Sequence, residues 1–130
     1  MSSPEVFLVV RSLLEAEFTD CPLVWPNEGD PPTSTEPFVY VEVSGTLSRR
    51  IELGIAAMEE RGLIWCHVYV PVGMGTLVCR NIAKRLSNIF RSARDSPVVF
   101  GDQRLGNGQG DDDGMLWLQA ISIDYSYQDR

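Results

Sequence analysis

At 130 residues, 44% of them hydrophobic and 22% charged, the chain has the size and make-up of one globular domain with an ordinary core. Its net charge of −7 argues against a surface built to track nucleic acid, which needs a basic field. Three cysteines, Cys21, Cys66 and Cys79, form an odd count without metal-ligand spacing and are read as reduced, buried thiols. No basic segment followed by an apolar one marks a secretory signal, and no apolar run nears the ~20 residues of a membrane span. The sequence therefore predicts a soluble protein of a reducing compartment.

Ser3-Pro4-Glu5 has the chemistry of a helix start: a capping hydroxyl, a proline at the first position and an acid at the positive end of the dipole. Val6, Val9, Val10, Leu13, Leu14 and Phe18 follow at helical spacing, which predicts a helix over Pro4 to Phe18. The stretch from Cys21 to Pro37 holds five prolines and reads as an irregular connection, with room for a short extended piece at Leu23-Val24-Trp25. FVYVEVSG and TLSRRIELGIA alternate with period two, and Ser44-Gly45 suits a turn between them, so an antiparallel hairpin is expected. Gly62 then opens a strand from Leu63 to Val70. Its even positions Ile64, Cys66, Val68 and Val70 are apolar, and its odd positions Leu63, Trp65, His67 and Tyr69 are large and mostly amphipathic.

A second helix is predicted over Thr76 to Ala93, capped by Thr76. Its core stripe is Val78, Cys79, Ile82, Ala83, Leu86, Ile89 and Phe90, and Arg80, Lys84, Arg85, Arg91 and Arg94 lie on its remaining faces. Pro97 to Phe100 suits a short strand. Gly101 to Gly114, with five glycines and no apolar period, reads as an irregular excursion. From Met115 onward alternation returns, with Trp117, Ile121, Ile123, Tyr125 and Tyr127 on one face and Ser122, Asp124 and Ser126 on the other. A strand this long is expected to run past the sheet or to pair with a neighbouring molecule. The whole reads as one α+β domain over residues 1–130: a mainly antiparallel sheet with two α-helices on one face and irregular loops at 21–37 and 101–114.

The turn VPVGMGT between strand and helix has the outline of a phosphate loop but not its chemistry. The lysine of the Walker loop and the third glycine of the dinucleotide fingerprint are both missing. Gly73 and Gly75 serve the chain reversal, although an anion at the Gly73–Thr76 helix start stays open. The single histidine, His67, reads as structural, and no G-x-S-x-G motif accompanies it. Asp111, Asp112 and Asp113 lack the spacing of an EF-hand; they read as a solvated loop, with a weak Mg²⁺ or Ca²⁺ site or a basic partner as the lesser reading. That acidic loop together with the basic face of the second helix, Arg80 and Lys84 included, permits head-to-tail pairing of identical subunits.

Three stretches and a closing strand, taken together, resemble a known family. The stretches are the N-terminal helix followed by PLVWPN, with Trp25, Pro26 and Asn27; PFVYVEV leading to RRIELG, Pro37 to Gly54; and GLIWCHVYVPVGMGTLVCRNIAKRLSNIF. In the last, Gly62, Val70-Pro71, Gly73, Gly75, Ile82-Ala83 and Phe90 carry the pattern, and the tryptophan-bearing strand Met115 to Tyr127 closes it. Their order is similar to that of the tail terminator or tail-completion proteins of long-tailed phages and prophages. The chain departs from the pattern in its EGDPPTSTEP linker and its glycine-acid loop.

The resemblance implies a structural role, without catalysis or cofactor, in the virion tail and, during assembly, in the bacterial cytoplasm. It implies a ring of six that caps the tail tube, ends its polymerisation and joins it to the head connector. The partners it implies are further copies of the chain, the tail tube protein and the head–tail connector, with no nucleic acid or membrane. Trp65, His67, Tyr69, Arg80, Lys84, Asp111, Asp112, Asp113, Tyr125 and Tyr127 become candidate subunit or partner contacts. Loops 21–37 and 101–114 become candidates for contact with tube or connector. The alternative reading is a small ligand-binding module or enzyme holding an anion at the Gly73–Thr76 helix start.

Overall fold

The computed structural model describes residues 2–28, 36–50, 57–110 and 114–129. The first helix, α1 (Pro4–Glu17), begins where the cap chemistry predicts: Ser3 Oγ accepts the Val6 N–H at 3.4 Å. It ends as Phe18 turns extended and returns its N–H to Leu14 O at 2.8 Å. Val6, Val10 and Leu14 are fully buried. Each such side chain contributes about 1.5–3 kcal/mol relative to exposure, so packing rather than propensity holds this 14-residue helix.

Among the described residues six strands form one sheet: β1 (Leu23–Val24), β2 (Phe38–Arg50), β3 (Met58–Pro71), β4 (Val98–Leu105), β5 (Gln109–Gly110) and β6 (Leu116–Asp129). The second helix, α2 (Thr76–Ser92), crosses over between β3 and β4. The order is β1-β2-β3-β6-β4, with β5 beside the start of β6, and of these pairs β1–β2 is parallel and the others antiparallel. The α+β architecture, mainly antiparallel with two helices, is as the sequence predicts. Even positions of β3 (Ile64, Cys66, Val68, Val70), Val39 and Val41 of β2, and Ile121, Ile123 and Tyr125 of β6 face the helices. They build the core with Val6, Val10, Leu14, Cys79, Ile82, Ala83, Leu86 and Phe90.

The structure corrects several expectations. Ser44-Gly45 is not a hairpin turn: β2 runs on to Arg50, with only a register shift between Gly45 and Leu47. Gly45 sits opposite Gly62, and a Cβ on Gly62 would stand 2.1 Å from the Ser44 carbonyl oxygen and 2.8 Å from the Tyr125 ring. The glycine thus serves a close approach inside β3 and does not open the strand. The reversal falls between Arg50 and Met58, and residues 51–56, part of the expected second hairpin arm, lie outside the described residues.

Of the excursion expected over Gly101–Gly114, residues 101–105 and 109–110 are strand, and residues 111–113 lie outside the described residues. β4 continues to Leu105 after an irregularity between Phe100 and Gln103, and Gln109–Gly110 pairs with Leu118 and Trp117. That irregularity breaks the period-two pattern. Accordingly β6 does not run past the sheet; it pairs along its full length with β3 and takes β4 and β5 on its other side. Thr76 does not cap α2. Gly75 is the N-cap, at φ 83°, with no side-chain cap bond, and Thr76 is the first helical residue.

Candidate functional site

On the helix-free face of the sheet, odd residues of β3 lie opposite even residues of β2. Tyr69 pairs with Phe38, His67 with Tyr40 and Trp65 with Glu42. Period-two geometry stacks them into an aromatic ladder. Phe38 and Tyr69 lie 4.8 Å apart at 13°, Trp65 and His67 6.0 Å apart at 10°, and Tyr40 and His67 6.0 Å apart at 40°. His67 Nε2 approaches Glu42 Oε1 at 4.0 Å. Trp65, His67 and Tyr69 are half-buried, so one side of the ladder meets solvent.

Tyr125 is different. It is buried, and its hydroxyl donates to the Glu60 carboxylate, which also accepts the Ser3 N–H at 3.1 Å. Burial, and then Glu60, push its phenol well above the ordinary range. Tyr125 is therefore a core residue of the chain rather than an offered contact. Tyr127 is half-buried against the core. Arg80 and Lys84 are exposed on α2, whereas Asp111, Asp112 and Asp113 lie outside the described residues.

Among the described residues no three His, Cys, Asp or Glu side chains converge as a metal site. The thiols are poor nucleophiles. Burial raises Cys66 to about 12, burial and then Asp20 raise Cys21 to about 11, and Cys79 is also raised, chiefly by burial. Cys66 and Cys79 are buried as predicted, while Cys21 is half-buried.

The Gly73–Thr76 helix start is bordered by exposed apolar side chains. Val72, Met74 and Leu77 are 57%, 46% and 68% exposed. The Val72 N–H donates to Met115 O at 3.0 Å, which brings Met115, itself 59% exposed, to the same end of the sheet. This apolar tip is not among the sites expected from the sequence. Its signal was the run of Val72, Met74 and Leu77 across a turn that needs only glycines to form.

An α+β sheet with two helices on one face, an aromatic ladder on the other and an exposed apolar tip defines a class: a small α+β domain with partly exposed aromatic and apolar surfaces. A family model described as phage tail terminator protein matches residues 8–125. The chain belongs to the phage tail terminator protein family and is a structural component of a phage tail, interacting with other tail and head proteins. No curated protein matches it. Solved structures are similar in fold, among them one with a TM-score of 0.67 at 18% identity over 95% of this chain and 96% of the other. Among the described residues no helix is long and apolar enough to cross a membrane.

Proposed function

We propose that the chain forms a ring of six copies that caps the finished tail tube, ends its polymerisation and offers the head connector a surface. The observation that carries this reading is the apolar tip of Val72, Met74, Leu77 and Met115, because a patch exposed at one end of a subunit suits stacking on another ring. Trp65, His67 and Tyr69 are proposed as further contacts, and Asp111–Asp113 as a charged contact with tube or connector. Phage lacking the chain should make tails of unregulated length without heads, visible by electron microscopy, and supplying the chain should restore both. Light scattering of the chain alone should find a discrete hexamer. Tails of normal length in its absence would overturn the reading. Reversing the charge of Asp111–Asp113 should weaken completion at an unchanged melting temperature.

A further inference from the structure

We propose that the groove between α2 and β4 receives α1 of the next copy of this chain; the proposal rests on the ring reading above and names its subunit contact. Arg80, Lys84 and Arg91 fall on one stripe of α2 at i, i+4 and i+11, turned toward β4 and away from the core stripe of Cys79, Ile82, Leu86 and Phe90. Arg104 and Leu105 of β4 form the facing wall, with Ile121 beneath, around a groove of 440 Å³.

Four cationic groups thus gather in a chain with 11 Lys and Arg against 18 Asp and Glu. Among the described residues only Arg104 of the four has an ion pair, with Asp124 at 3.0 Å. Leu105 is 56% exposed in the wall, and β4 is an edge strand. The groove fits a partner with acids at two points and an apolar side chain between them.

The solvent stripe of α1 has that form. Glu5, Leu8, Ser12 and Glu15 follow at i, i+3, i+7 and i+10, opposite the buried stripe of Val6, Val10 and Leu14, and Leu8 is 59% exposed. At 1.5 Å per residue Glu5 and Glu15 stand about 15 Å apart along the axis, and Arg80 and Arg91 about 16.5 Å. Laid along α2, α1 of a second copy sets both carboxylates against cations and Leu8 toward Leu105 and Ile121, in the manner of a helix seated in a groove. Glu15 already holds Arg11 at 2.9 Å, an exposed pair that does not exhaust its acceptor capacity. A copy cannot fill its own groove, because α1 is anchored on the sheet by Val6, Val10 and Leu14. The contact joins two different surfaces and, repeated around a closing rotation, makes a ring.

The test is a charge swap read by light scattering and native mass spectrometry. One variant carries Arg80→Glu and Lys84→Glu, the other Glu5→Lys and Glu15→Lys, and thermal melts check that each folds. Each alone should associate at least tenfold more weakly than the wild type, and mixing the two should restore association, since the reversed groove then meets the reversed helix. Leu8→Ser, which removes the apolar contact and changes no charge, should also weaken it. Variants that associate like the wild type, or a mixture that stays monomeric, overturn the contact and leave the ring standing on other surfaces. A mixture restored only to a dimer keeps the contact and overturns the ring. A wild type monomeric at every concentration overturns both.

Discussion

The Tyr125 hydroxyl donates to the Glu60 carboxylate, and the same carboxylate accepts the Ser3 N–H at 3.1 Å, so one acid ties β6 and β3 to the start of α1. Tyr125→Phe removes a hydrogen bond to a charged group and should cost about 1.5–3 kcal/mol in urea unfolding. The phenol also makes stability depend on pH. Its folded value lies above the ordinary 10, so the native state binds more protons than the unfolded state once pH passes 10, and stability falls as pH rises from there. Tyr125→Phe should flatten that alkaline decline; an unchanged slope would show that another group carries it.

Gly62→Ala should destabilise the fold by about 1–3 kcal/mol, because the added methyl meets a backbone oxygen that has no rotamer to change. A melting temperature equal to the wild type would mean that β2 and β3 separate there at little cost.

The three free thiols should label in a fixed order. Cys21, half-buried, should react slowly with a disulfide reagent in native protein at neutral pH. Cys66 and Cys79, buried and held protonated, should react only on unfolding. Fast labelling of Cys66 in native buffer would show that the core opens on that timescale.

Met74→Asp with Leu77→Asp changes side chains that are 46% and 68% exposed, so stability should stay within about 0.5 kcal/mol of the wild type. Tail completion, scored by infectious particles, should fall sharply. Undiminished completion would remove the apolar tip from the proposed contact with tube or connector.

Much of this molecule was legible in local pattern. Ser3-Pro4 set the start of α1, and the predicted span of α2 overruns Ser92 by one residue at its end. The even and odd faces of β3 and the alternation of β6 stand as written in the sequence, since periods of 3.6 and two report which side of an element is buried. The aromatic ladder was visible as large odd residues of β3, although its partners Phe38 and Tyr40 emerge only from the register.

Other features depend on backbone bonds between distant residues, which no local pattern records. Gly101–Leu105 became strand because β6 had a second edge to fill, and Ser44-Gly45 lost its turn because Gly62 lets β2 and β3 stay close enough to continue. Tyr125 alternates like its neighbours, yet only the fold set Glu60 beneath its hydroxyl and took the ring from the surface to the core. Periodicity assigns a side chain to a face. What that face meets is decided when separated segments pair, through hydrogen bonds and packing that every partner must satisfy at once.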